Sequence, residues 1–310
     1  MVVILLAFGC PVKAIVAALS LDERAVSDWQ ERAAKQSRQV HEHLVERERD
    51  LREVQCDELR VKMQGKIVWV ATAIWTQTRL FLGGEVSLSH DRYLITRLIR
   101  RVRLSALKLP LLIVTDGLRT YKTAIGHIFR EKVASIGRGR RRLSEWVEIN
   151  YAQVIKRYKE RRVVEVERRV VKDSQEMVES LRHKASEESF IKTSFVEGLN
   201  ATFRQRLSRF VRRTRALAKR TETIEEAMWL FGSIYNFCTP HESLRICIVK
   251  DQQKHYVQRT PAMASDITDH VWSVKELMQY RVPPERWKPQ KKRGRPSIAL
   301  INTIQRWGNQ

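Results

Sequence analysis

Leu109–Gly117, LPLLIVTDG, runs seven apolar or neutral residues into one carboxylate and a glycine turn. No alternation interrupts Leu111, Leu112, Ile113 and Val114, so the run predicts a strand buried on both faces, as in the middle of an α/β sheet. Asp116 stands where that strand leaves the core. Ligands bind at the carboxyl ends of strands in open α/β sheets, so an acid there is held rigidly beside solvent. The same Asp-Gly pair also serves as a turn or a helix N-cap, because Asp accepts backbone N–H groups and Gly tolerates positive φ.

Working outward, the strands before it read as a meander. Val54–Met63 is a strand-like run holding Asp57, Lys66–Trp75 (KIVWVATAIW) is β-rich, and Thr78–Leu82 follows, closed by Gly83-Gly84. His90–Leu107 has Leu94, Leu98, Ile99 and Val102 on one helical face, and a helix through Tyr121, Ile125 and Phe129 follows Asp116. Residues 131–190 read as an insertion. From Arg138 to Lys172 there are twelve Lys or Arg against five acids, which suits either a solvated face or a phosphate contact.

Thr193–Ser208 predicts a helix in which Ser194 caps and Glu197 takes the capping-box position. The same spacing puts Glu197, Asn200 and Arg204 on one face, with Phe195, Leu199, Phe203 and Leu207 supporting the other. Gly198–Thr221 then carries eight bases and no acid, as suits a site binding metal and a phosphate backbone together. Ile224–Phe237 returns to an apolar helix.

At the start, Pro11 opens a short helix, Ser20-Leu21-Asp22 breaks it, and Ser20 with Glu23 forms a capping-box pattern for a second. With Arg24, Ser27, Gln30 and Arg32 on the second helix, this is a helix-turn-helix candidate for DNA contact; a plain helical bundle is the alternative. The apolar opening Met1–Leu19 lacks a basic n-region and is broken by Gly9, Pro11 and Lys13, which argues against an export signal. At the other end, Arg293-Gly294-Arg295-Pro296 looks like the core of a minor-groove hook within a basic tail.

Composition narrows the partners. Fifty-eight Lys and Arg against 35 acids give a net charge of +23 and a pI near 10.3, which points to a polyanion, nucleic acid before membrane. No apolar run reaches the ~18 residues of a membrane span. The four cysteines form no CxxC pair, so neither a disulfide framework nor a structural zinc site is expected, and a cytoplasmic, nucleoid-associated protein is.

The element order is strand with Asp57, two strands, helix, strand ending in Asp116, helix, basic insertion, helix with Glu197. That is the layout of a ribonuclease-H-like mixed sheet flanked by helices, in which two strand acids and one helix acid converge at one sheet edge. Three convergent carboxylates repel unless cations lie between them, and hard oxygen ligands suit two Mg²⁺ or Mn²⁺ ions.

The chain here resembles bacterial insertion-sequence transposases of the DDE class, most of all the group of insertion sequence one. The stretches carrying the resemblance are residues 8–41, CDEL at 56–59, VTDGLRTY at 114–121, FVEGLNATFRQRL at 195–207, YNFCTPHESLR at 235–245 and residues 259–283. The resemblance implies Asp57, Asp116 and Glu197 as the metal-binding catalytic triad, cleavage at element ends and strand transfer into target DNA. It also implies terminal inverted repeats read by the helix-turn-helix, and a homo-oligomer on paired double-stranded DNA ends. The expected domains are 1–48 for helix-turn-helix, 49–240 for catalysis and 241–310 for a basic extension.

Two features depart from the group: no Cys-based zinc module precedes the helix-turn-helix, and Gly83-Gly84-Glu85 stands where a base is expected. Glu58 should point to the strand face opposite Asp57, making it the weaker ligand. Asn200 and Arg204 are candidate DNA or site contacts, as is His241. A non-catalytic DNA-binding regulator, or a decayed transposase, needs only the helix-turn-helix and basic surface; a cellular nuclease of the same fold needs neither.

Overall fold

The computed structural model describes residues 1–133, 141–160, 162–172, 176, 178–180, 191–250, 253–284 and 297–307. A six-stranded sheet forms its centre, in the order β3-β2-β1-β4-β7-β8. β1 (Glu53–Met63), β2 (Lys66–Trp75) and β3 (Leu80–Ser87) are an antiparallel meander. Helix α4 (Arg92–Ser105) crosses to β4 (Leu111–Thr115), which lies parallel to β1, and α5 (Thr120–Ile128) follows. β4 is buried at all five positions, as its unbroken apolar run requires.

The expected insertion at 131–190 needs correction. After a small hairpin of β5 (Arg130–Lys132) and β6 (Leu143–Glu145), β7 (Ile149–Lys159) is the fifth strand of the main sheet, parallel to β4. β8 (Arg162–Lys172) pairs with it antiparallel at the sheet's edge. Arg157, Lys159, Arg162, Arg168 and Arg169 stand at exposed positions of these two strands and Lys156 and Lys172 at half-buried ones, while Ala152 and Val154 are buried in one cluster with Leu112 and Val114.

Gly83 and Gly84 do not close β3; they lie inside it. Gly83, at φ 121°, pairs with Ala73 beside a bulge in β3 itself, where Leu82 is the extra residue between the Ala73–Gly83 and Ile74–Phe81 pairs. A Cβ at Gly84 would meet Met228 Sδ at 2.5 Å and the Ala71 carbonyl at 2.9 Å, so only glycine lets the helix that carries Met228 lie this close. Glu85 is buried and paired with Arg97 and Arg101, and Arg101 also pairs with Glu46. The acid found where a base was expected thus belongs to an internal ion-pair network.

Helices α6 (Ser194–Arg206) and α7 (Thr221–Phe237) supply the core on one sheet face. Leu59, Val61 and Met63 of β1 pack there with Val196, Leu199, Phe203, Met228, Trp229 and Phe231. The Phe203 and Phe231 rings meet edge to face at 5.0 Å, a contact that adds roughly 0.5–1.5 kcal/mol to area burial.

At the N-terminus, α1 (Val2–Ala7) and α2 (Val12–Leu19) precede a 22-residue helix, α3 (Glu23–Leu44). Ser20 is not the cap: it ends α2 in the left-handed region, and Asp22 caps α3 by accepting from the N–H groups of Arg24 and Ala25. α3 packs along α7. Arg38 pairs with Glu225 at 2.9 Å, Ser233 donates to the Ser37 carbonyl, and His41 is buried against Phe81 and Trp229. Residues 1–48 therefore lie within the same compact unit as the sheet, and that unit runs on to Tyr280.

Beyond α7, β9 (Ile246–Lys250) and β10 (Gln253–Val257) form a hairpin, followed by α8 (Pro261–Ala264) and α9 (Val274–Gln279). Trp272 stacks between Phe237 and Tyr280 and ties this segment to α7. The separate unit Arg281–Gln310 contains the helix α10 (Ile298–Trp307). No helix among the described residues is long and apolar enough to cross a membrane.

Candidate metal centre at the sheet edge

Strand alternation sends Asp57 and Glu58 to opposite faces, as their partners confirm. Asp57 accepts a hydrogen bond at 2.8 Å from Asn200 Nδ2 on α6, whereas Glu58 accepts one from the Tyr121 hydroxyl on α5. Both nevertheless reach the same place. Asp57, Glu58 and Asp116 each offer an oxygen, and those oxygens lie within 4.8 Å of one another. Sequence reading ranked Glu58 below the others because alternation alone was applied; β1 runs on to Met63, but its pairing with β4 ends at Gln55, and beyond that point oxygens from both of its faces reach the space past the end of β4.

Asp116 takes its place through the turn after β4, its Oδ1 accepting the Leu118 N–H at 3.0 Å. Burial, first, with repulsion from Asp116 and Asp57, pushes the Glu58 carboxyl up to about 8 despite the Tyr121 hydrogen bond. Asp57 is also raised, chiefly by burial; its Asn200 hydrogen bond pulls the other way, while Asp116 and Glu197 push it further up. His90 stacks on Trp69 at 4.0 Å and brings Nε2 to 3.4 Å from Glu58 Oε2.

Glu197 is not among the three clustered acids. Its carboxylate takes the Thr193 hydroxyl and an ion pair from Lys156 of β7, rather than the backbone N–H of a capping box. Residue 193, not Ser194, is the N-cap of α6, and the cap is supplied from another element. Gln55 of β1 accepts the N–H groups of Phe195 and Val196 with Oε1 and donates to the Lys192 carbonyl with Nε2. The visible signal for this latch was weak: an uncharged polar side chain between Val54 and Cys56 in a strand that carries several other polar residues.

Asn200 is 1% exposed and bonded to both Asp57 and Thr72, so it is a positioning group and not a DNA contact. Arg204 is half-buried near Asp57 and Arg212, and its Nε meets no acceptor among the described residues. On α3, Arg24, Ser27 and Arg32 are exposed, but Gln30 is not: it is buried against α7, its Nε2 donating to Glu226 at 3.1 Å. Trp29 on the same helix is partly exposed. His241 packs edge-on to Tyr235, 5.8 Å between centroids. Arg293 and Arg295 lie outside the described residues.

The donor set suits a hard divalent cation: three half-buried or edge carboxylates and no thiol or imidazole among them. Residues 51–194 match a family model described as a DDE domain, of the IS240 type of insertion-sequence transposases. The matched span begins two residues before β1 and contains Asp57, Glu58 and Asp116; Glu197 lies three residues past its end. The match does not confirm the narrower resemblance to the group of insertion sequence one. Comparison with curated proteins gives no match. The chain therefore carries an α/β domain similar to the DDE domain of insertion-sequence transposases, with its clustered acids at one end of the sheet.

Proposed function

We propose that this protein is a transposase that cleaves DNA at the ends of its element and transfers the cut strand into target DNA. The observation that carries the reading is the convergence of Asp57, Glu58 and Asp116 oxygens within 4.8 Å, inside the span similar to a DDE domain. Asp57, Asp116 and Glu197 would hold Mg²⁺ or Mn²⁺, with Glu58 beside them. Two ions bound there would activate an attacking water or 3′-hydroxyl and stabilise the leaving oxygen.

The chain's own residues prepare that edge. Asn200 fixes the Asp57 carboxylate, Gln55 fixes the first turn of α6, and Glu58 rests on Tyr121. Arg204, with its unengaged Nε, is the group suited to a DNA phosphate beside Asp57. Exposed Arg24, Ser27 and Arg32 on α3 supply a face for reading terminal repeats, and the +23 charge favours binding to DNA, on whose paired ends a homo-oligomer would gather.

The test is nicking of a supercoiled plasmid carrying the DNA that flanks the reading frame, with Mg²⁺ or with EDTA. Metal-dependent nicks at the element ends, lost in Glu197→Gln while DNA binding remains, are expected. Nicking that survives in EDTA, or in Glu197→Gln, refutes the assignment.

A further inference from the structure

β4 pairs with β7 only as far as Thr115 opposite Gln153, yet β7 continues to Lys159 with β8 beside it throughout. A two-stranded ribbon therefore overhangs the end of β4, where Asp116 stands. Lys156 lies three positions beyond the last β4 pairing, roughly 10 Å along the ribbon at ~3.3 Å per residue. It shares a strand face with Val154, which packs against Ile191 just before α6. The ribbon thus carries an ammonium directly to the helix acid.

Among the ribbon's other cations, Arg157 pairs with Glu165 and Glu167 and Arg169 with Glu167, all inside the ribbon, while Lys172 pairs with Glu145 and Arg168 donates to the Ile191 carbonyl. Lys156 differs. Its carboxylate is Glu197 on α6, and both side chains are part-exposed, at 28% and 44%. An oxygen engaged by an ammonium is a poorer ligand for a divalent cation, because the two positive charges compete for it. When the cation wins, the ammonium is left beside the acids on a four-carbon stem, part-exposed and without its carboxylate. The ligand matching a compact, mobile cation at that position is a backbone phosphate.

We propose that Lys156 exchanges partners: it neutralises Glu197 when the centre is empty of metal and binds a DNA phosphate once a divalent cation takes that carboxylate. The overhanging ribbon is then a DNA contact surface whose inner end engages only in the metal-loaded protein. This rests on the reading of Glu197 as a metal ligand in a DNA-cleaving site.

The test measures DNA affinity against salt in EDTA, using duplex DNA of the element end, for wild type, Lys156→Ala, Glu197→Gln and the double variant. Each phosphate neutralised adds about 0.9 to the slope of log K against log salt. Wild type and Lys156→Ala should share a slope, because Lys156 is already engaged. Glu197→Gln frees the ammonium and should be steeper by about 0.9; adding Lys156→Ala should remove that increment, and Lys156→Arg should keep it. Ca²⁺ added to wild type should reproduce the steeper slope, but not in Lys156→Ala. Equal slopes for Glu197→Gln with and without Lys156 overturn the exchange, as do equal slopes for the two Ca²⁺-loaded proteins. The cycle needs no turnover: end-specific nicking with a flat cycle removes the exchange alone, whereas no nicking with an intact cycle removes the catalytic reading alone.

Discussion

Replacing Asn200 by alanine removes two buried hydrogen bonds at once. Asn200 Nδ2 donates to Asp57 Oδ2 at 2.8 Å, and Thr72 Oγ1 donates to Asn200 Oδ1 at 2.8 Å. A hydrogen bond to a charged group is worth about 1.5–3 kcal/mol and a neutral one about 1 kcal/mol. With Asn200 only 1% exposed, water does not replace them readily, so the loss should total about 3 kcal/mol, roughly a hundredfold in the folding equilibrium. The pH dependence has a defined sign. Asp57 is raised by burial, so charging it already costs stability as pH rises through its folded value; Asn200 reduces that cost. Without Asn200 the carboxyl moves further up, and the deficit should be larger at about pH 8 than at a pH low enough to protonate Asp57, where only a neutral bond is lost. Urea unfolding in EDTA, followed by tryptophan fluorescence at both pH values, reads this directly. Thr72→Val, which removes only the hydroxyl, should cost about 1 kcal/mol and serves if the alanine variant does not fold. A deficit for Asn200→Ala below about 1 kcal/mol, or one independent of pH, would refute the positioning role.

Glu58→Gln should leave metal-free stability unchanged near pH 4 and raise it above about pH 8. The sign follows from a folded value near 8: stability held at low pH is lost as the buried carboxyl is forced to ionise, and glutamine cannot ionise. Thermal denaturation in EDTA across that range checks it, and the same variant should bind Mn²⁺ more weakly in titration calorimetry. Arg101→Met should destabilise by about 3–5 kcal/mol, because Glu85 and Glu46 keep charges in the interior with their shared guanidinium gone. The double change Arg101→Met with Glu85→Gln should recover part of that in urea unfolding; no recovery would mean that lost packing on Trp229, not charge, dominates.

The reach of sequence reading followed the number of faces an element buries. β4, buried on both, was legible from Leu111–Val114 alone, and β2 was legible to its end residues because Lys66–Trp75 is apolar almost throughout. β7 was missed because its buried half, Ile149–Val154, carries Asn150 and Gln153, and its far half is basic; charge pattern was taken for topology. Gln30 was assigned to solvent because a helix sequence alone does not say which partner covers it, and here α7 brings Glu226 to meet it. Gly83-Gly84 read as a turn because glycine's freedom and glycine's small size leave the same letter in the sequence. Only the approach of Met228 tells the second use from the first.

β1 explains why helix and strand acids are held in relation to one another. Its residues facing α6 divide into two kinds: Leu59, Val61 and Met63 enter the apolar core, while Gln55 and Asp57, with Thr72 opposite Asp57 on β2, are polar. The apolar half could hold α6 at several registers, since hydrophobic contact is non-directional. The polar half cannot. Gln55 fixes the N–H groups of Phe195 and Val196, and Asn200, one turn beyond Glu197, is pinned between Asp57 and Thr72. Glu197 sits between these two fixed points, so its backbone position relative to Asp57 is set by directional bonds on either side. Such a site is built on rigid elements before any ligand arrives, and what remains adjustable at Glu197 is its side chain, the part that Lys156 now engages.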